Sequence, residues 1–159
     1  MRDWLAHRAA ASPDATAVVA AADGTELTYA DLDARVAETA GRLAALGLRE
    51  GDHLGVLMET RLASVQLVHA AMRLGCVLVP LNVRLARPEL RRQVARADLA
   101  ALVCEADTEG DATAVAGDVP VASVDSGATP ALDDQEPAAF EQATWDRADS
   151  QVILFTSGT

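Results

Sequence analysis

Thr156, Ser157, Gly158 and Thr159 place three hydroxyls and a glycine in four residues, directly after the apolar run Gln151 to Phe155. A strand that empties into such a loop can build a phosphate cradle. Glycine lets successive backbone N–H groups aim at one point, and the hydroxyls add donors without bulk. The same four residues suit an ordinary polar turn, and they do not make the G-x-x-x-x-G-K-[ST] phosphate loop. Spacing alone leaves both readings open.

Other reactive side chains take quieter readings. Cys76 and Cys104 each sit singly in an apolar run, with no C-x-x-C spacing. They read as buried free thiols rather than as a disulfide or a metal site, and no other ligand set is spaced for a metal. None of His7, His53 and His69 neighbours a Ser or Cys nucleophile with a visible Asp partner. His69, on an apolar helix, reads as a hydrogen-bonded core residue. Arg84, Arg87, Arg91, Arg92 and Arg96 crowd one segment and could draw an anion. Glu89 and Asp98 among them favour a solvated face.

These residues need elements to hold them, and the pattern alternates strand and helix. TAVVAA (16–21) predicts a strand, with Asp23-Gly24 as a turn. Thr28-Tyr29-Ala30-Asp31 predicts a capping box opening a helix that carries Leu32, Val36, Leu43 and Leu46 on one side and ends near Gly47. HLGVLM is a second strand. Residues 61–74 form a helix apolar nearly all round, closed by Gly75, which predicts burial on more than one side. CVLVPL reads as a strand apolar on both faces, as inside a parallel sheet. Pro88 starts a helix running to Ala97, and LAALVC is the next strand. The expected fold is α/β, alternating strands and helices with a largely parallel sheet. Residues 1–104 form an N-terminal α/β subdomain. Residues 105–150 are an acidic, partly flexible connecting segment with VPVASV as its one strand candidate. Residues 151–159 are a strand and the start of the loop, and QVILF could be an unpaired, aggregation-prone edge.

Bulk properties exclude several functions. A chain of 159 residues can bury roughly 70% of its unfolded surface as one domain. Half of it is apolar but only 3% aromatic, so Val, Leu and Ala must fill the core. The net charge of −11 arises after Cys104, where twelve acids face Arg147 alone; before that, twelve Arg balance twelve acids. Without a basic surplus the chain does not suit nucleic acid. Asp3, His7 and Arg8 interrupt the start where a signal peptide needs an apolar run, and no apolar stretch is long enough to span a membrane, so the expected location is cytoplasmic.

Four segments, in order, resemble one known family: WLAHRAAASPDATAVV, LTYADLDARVAETAGRLAALGLREGDHLGVLM, CVLVPLNVRLARPEL and ILFTSGT. They look like the N-terminal part of the adenylate-forming (AMP-binding) enzymes, which include acyl-CoA synthetases, luciferases and peptide-synthetase adenylation domains. Only the acidic stretch lies outside the match. The terminal tetrapeptide resembles the opening of the family's phosphate signature, T-S-G-T-T-G-x-P-K-G. The resemblance therefore implies the N-terminal part of the adenylate-forming enzyme fold. It also implies contacts from Thr156, Ser157, Gly158 and Thr159 to the ATP phosphates, with ATP, Mg²⁺ and CoA used alongside a small carboxylic acid.

The pattern L-N-x-R-L-x-x-x-E-L is similar to acid–CoA ligases, whereas peptide-synthetase domains carry Asp-Pro where this chain has Leu81-Asn82. Trp4 close to the start and Val68-His69-Ala70 resemble the 2-succinylbenzoate–CoA ligases of menaquinone synthesis. Medium-chain fatty acid–CoA ligases share most of these features. A non-catalytic, flavodoxin-like α/β binding module is the competing class. Because the family's signature lysine, its adenine and acid pockets and its mobile C-terminal domain lie beyond Thr159, these 159 residues alone are expected to be an inactive fragment.

Overall fold

A computed structural model describes residues 3–146 and 148–156. Local chemistry sets where its helices begin and end. Helix α1 (Trp4–Ala11) starts at Asp3, whose carboxylate accepts the Leu5 and Ala6 N–H groups at 3.0 and 3.1 Å. Helix α2 (Tyr29–Ala45) opens with the predicted capping box: Thr28 Oγ1 accepts from the Asp31 N–H, and the Asp31 carboxylate accepts from the Thr28 N–H, both at 3.1 Å. Two orphan donors are satisfied at once. Helix α3 (Leu62–Leu74) stops at Gly75, whose φ of 86° is left-handed and suits glycine. Helix α4 (Arg87–Ala97) carries Pro88 in its first turn, and α5 (Glu109–Ala116) is shorter.

Strands β3 (His53–Leu57), β4 (Val77–Pro80), β5 (Leu99–Cys104) and β6 (Val121–Ser123) form one parallel sheet in the order β4-β3-β5-β6. The crossovers between them are helices, so both sheet faces are covered. On one side Leu32, Val36, Leu43, Leu54 and Leu67 pack together between α2, α3 and the sheet. On the other, Leu90, Val94, Leu102 and Val115 join α4 and α5 to it. Each such fully buried leucine contributes about 1.5–3 kcal/mol. As the composition requires, this core is built from Leu, Val and Ala.

Three features depart from the expectation, and one strand candidate is found where it was expected. TAVV does not join the parallel sheet: β1 (Thr16–Val19) pairs antiparallel with β2 (Glu26–Thr28) as a separate ribbon. Residues 109–116 are helical, although EGDATAVA has no clear apolar period; Ala112, Val115 and Ala116 are buried against the sheet. Residues 119–124 do supply a strand, β6, at the sheet edge. The expected strand over 151–155 is reduced to one parallel bridge, Val152 to Leu78, flanked by two hydrogen bonds of 2.9 Å from Leu78 N–H to the Gln151 carbonyl and from Ile153 N–H to the Leu78 carbonyl. It pairs on one side only, which limits its regularity.

Between β6 and that bridge the chain must return from one sheet edge to the other. It does so as a strap across α2 and α3. Ala138 N–H donates to the Gly41 carbonyl (3.0 Å), Ala143 N–H to the Arg73 carbonyl (3.0 Å) and Trp145 Nε1 to the Met72 carbonyl (2.6 Å). Among the described residues, no helix is long and apolar enough to cross a membrane.

Candidate functional site

The order β4-β3-β5-β6 puts a switch in winding direction between β3 and β5, since β3 leads to β4 on one side and β4 leads back past it to β5 on the other. Open parallel sheets bind ligands at the carboxyl ends of their strands near such points. Two groups of side chains gather at that edge in this chain.

The first surrounds Thr156. Backbone pairing to β4 carries Gln151 to Ile153 along the sheet edge, and alternation turns Ile153 and Phe155 toward the α4 side while Val152 and Leu154 stay exposed. Thr156 then emerges beyond β4. With Phe155, Pro80, Asn82, Glu89, Arg92, Gln93 and Arg96 it lines a concavity of about 680 Å³. Of the four predicted phosphate contacts, Thr156 is described; Ser157, Gly158 and Thr159 lie outside the described residues. Arg92 and Arg96 bring positive charge to the same hollow. Sequence reading noticed their cluster but had no means of placing two of its members beside Thr156, because that proximity depends on Phe155 packing next to α4.

Most of the cluster makes contacts of its own. Arg87 Nε lies 2.6 Å from Asp111 Oδ1, Arg91 donates to the Ala114 carbonyl at 2.9 Å, and Arg92 is 4.0 Å from Glu89.

The second group was not read from the sequence. Glu105, buried at the end of β5, accepts the Glu59 N–H at 2.6 Å and lies 3.3 Å from Arg61 Nη1. Arg61 in turn grips Asp125 with both terminal nitrogens, at 2.9 and 3.0 Å. The Asp125 contact raises the Arg61 pKa, and the Arg61 hydrogen bond holds the Asp125 carboxyl below its ordinary value. These bonds tie together the loops following β3, β5 and β6. Every carboxylate in the group is bonded, so the arrangement is a brace for the sheet edge.

The remaining candidates stay structural. Burial pushes the Cys76 thiol up to about 12 and the Cys104 thiol up to about 11, so neither is a thiolate at neutral pH. His53 Nδ1 lies 2.5 Å from the Ala97 carbonyl and pins the end of α4 to the start of β3. His69 is not the hydrogen-bonded core residue expected: it is half-buried and, among the described residues, makes no hydrogen bond. Its ring meets Trp4 with centroids 6.0 Å apart, and burial lowers its pKa. Among the described residues no three His, Cys, Asp or Glu side chains are grouped to hold a metal ion.

A parallel α/β sheet that brings Thr156 to a hollow lined by Arg92 and Arg96 has the form of a nucleotide- or phosphate-binding protein. The chain belongs to the AMP-binding enzyme family, whose model matches residues 5–159. It is 31% identical to a 2-succinylbenzoate–CoA ligase of Bacillus cereus (strain Q1) and 33% identical to one of Listeria monocytogenes, in each case over 159 residues and the whole of this chain. It spans 31% and 32% of the length of those two curated relatives. Its fold is similar to that of O-succinylbenzoate coenzyme A synthetase from Bacillus subtilis in complex with AMP. There the TM-score is 0.85 with 27% identity, covering 98% of this chain and 39% of that one.

Proposed function

We propose that this chain is the N-terminal, nucleotide-binding part of an ATP-dependent acid–CoA ligase, and that the acid is 2-succinylbenzoate, in menaquinone biosynthesis. The observation that carries the reading is the match of the whole chain to relatives bearing that name, at 31% and 33% identity. The second reading of the sequence, a non-catalytic flavodoxin-like module, has no comparable support. A medium-chain fatty acid as substrate is the alternative that the assay below distinguishes.

A carboxylate is a poor electrophile because its leaving group would be oxide. Attack of a carboxylate oxygen on the α-phosphorus of ATP forms a new P–O bond and expels pyrophosphate, leaving an acyl-adenylate. The CoA thiolate then attacks the acyl carbon and expels AMP, giving a thioester. In this reading ATP enters as its Mg²⁺ complex, with the ion carried on the triphosphate. Thr156, Ser157, Gly158 and Thr159 hold the phosphates with backbone N–H and hydroxyl donors. Donors fixed in advance where charge develops are each worth about 3–4 kcal/mol in measured cases. Arg92 and Arg96, beside Thr156, add a positive field at the same hollow. The setting proposed for this chemistry is the cytoplasm. The 159 residues by themselves are proposed to be inactive, since they span about a third of the ligases they match.

The test is thioester formation by the protein that carries these residues, supplied with ATP, Mg²⁺, CoA and either 2-succinylbenzoate or octanoate. A thioester with 2-succinylbenzoate at far lower acid concentration than with octanoate supports the reading. Preference for octanoate would replace the acid, and no thioester or acyl-adenylate with either would remove the ligase assignment.

A further inference from the structure

A groove of about 530 Å³ opens between α1 and α3, with the β1–β2 ribbon and the start of α2 as its floor. Its apolar lining belongs to the core on the α2–α3 side of the sheet, whereas Phe155 and α4, beside Thr156, belong to the core on the other side. It is therefore separate from the phosphate-loop hollow. Leu5 and Leu32 lie buried at its base, and Ala17, Val18, Tyr29 and Val65 are partly covered along its walls.

Two features set this groove apart from ordinary surface. First, Trp4 stands at its edge 63% exposed, its ring held 6.0 Å from that of His69. Scattered single hydrophobic residues on a surface need no explanation, but indole, phenol and valine side chains converging on one concavity describe a ligand pocket rather than scatter. His69 adds to the apolar wall, because burial favours its neutral form. Second, the Arg8 guanidinium lies 5.3 Å from the centre of the Tyr29 ring. Among the described residues it makes no ion pair, a state it shares with Arg35, Arg49, Arg84, Arg91 and Arg96; unlike them it is seated on an aromatic ring at the rim of an apolar concavity. The groove thus has one cation at its rim, already seated on an aromatic face, with its charge unmatched in a chain of net charge −11.

Charge complementarity selects the occupant. A polyphosphate would need several converging donors, and the groove offers one guanidinium. A neutral apolar molecule would leave that guanidinium unused. We propose that the α1–α3 groove binds an amphiphilic carboxylate, with its apolar body against Leu5, Val18, Tyr29 and Val65 and its carboxylate on Arg8. A planar guanidinium receives a carboxylate through two parallel N–H donors, and the aromatic ring beneath holds it in place. The inference does not depend on the ligase reading, since it concerns the other side of the sheet and no step of the reaction.

The test uses direct binding to the protein that carries these residues, followed by calorimetry, with 4-butylbenzoate, 4-butylbenzyl alcohol and benzoate as probes. Saturable binding of one 4-butylbenzoate per chain is expected, at least about tenfold tighter than the alcohol, the size of one charge-assisted contact. Benzoate should bind more weakly for want of apolar area. Arg8→Gln should weaken 4-butylbenzoate by about the same factor and leave the alcohol unchanged. Arg8 is exposed, so this variant should keep the parent melting temperature. Val65→Glu, which puts a like charge in the wall, should abolish 4-butylbenzoate binding. Equal affinity for acid and alcohol, indifference to Arg8→Gln, or no saturable binding to the folded parent would each overturn the proposal. Enzyme activity enters none of these readouts, so their outcome is distinct from that of the ligase assay.

Discussion

Arg73 Nε stands 2.7 Å from Asp3 Oδ2, joining the first helix cap of the chain to the last turn of α3 across 70 residues of sequence. The same guanidinium lies 2.5 Å from Asp33 Oδ1, and Gln142 of the strap donates to the same Asp3 oxygen at 3.1 Å. Two remote segments therefore meet on the Arg73 side chain, which is only 7% exposed, and the strap joins them through Asp3.

Arg73→Met should destabilise the chain by about 2–4 kcal/mol, because it strands two carboxylates around a site built for their cation. Urea denaturation of the parent, Arg73→Met, Asp33→Asn and the double variant would give the coupling energy. A loss below ~0.5 kcal/mol for Arg73→Met would show that the cluster is solvated and idle.

Gly41 presents a sharper case. Glycine inside a helix normally costs about 1 kcal/mol relative to alanine, so Gly→Ala should stabilise α2. A Cβ at Gly41, however, would lie 2.8 Å from the Pro137 Cβ and 3.1 Å from the Ala138 carbonyl oxygen. Gly41→Ala is expected to be net destabilising, by about 1–3 kcal/mol, as the strap is pushed off the helix. A raised denaturation midpoint would mean that the strap does not press on α2.

His69 sets a pH dependence. Burial lowers its pKa below the ordinary 6.5, opposed by the nearby Asp3 and assisted by Arg73. The unfolded chain therefore takes up the proton first as pH falls. The stability tied to neutral His69 is present in full above about pH 6.5 and is lost as pH drops through the lowered folded value. Melting temperature should fall between pH 7 and pH 5, and His69→Phe, which keeps a ring against Trp4, should flatten that slope. An unchanged slope in the variant would assign it to other groups.

How legible all this was depended on how local the cause was. The Thr28–Asp31 box, the Gly75 stop and the Pro88 start are each decided by a few adjacent residues, and the structure has them where the pattern puts them. The parallel strands were legible because Val77–Val79 and Ala101–Cys104 are apolar on both faces. Helix α5 was not, since its acidic residues mask a short apolar contact made only with the folded sheet. The ribbon position of β1 depends on pairing with Glu26–Thr28, a segment too short to announce itself. Arg73 and the Arg61–Glu105–Asp125 brace were invisible because nothing in one dimension says that a charged residue will be buried beside partners from 40 to 70 residues away. Thr156 was legible as a loop residue, while its neighbours Arg92 and Arg96 emerged only from the packing of Phe155 near α4.

The central claim is that the loop at 156–159 serves carboxylate activation by ATP. It is tested most directly by acid-dependent ATP–pyrophosphate exchange in the protein that carries these residues, comparing the parent with Ser157→Ala. The account predicts exchange that requires 2-succinylbenzoate and falls by ~100-fold in the variant, with the parent melting temperature retained. Exchange at the parent rate in Ser157→Ala, or none in the folded parent, would contradict it.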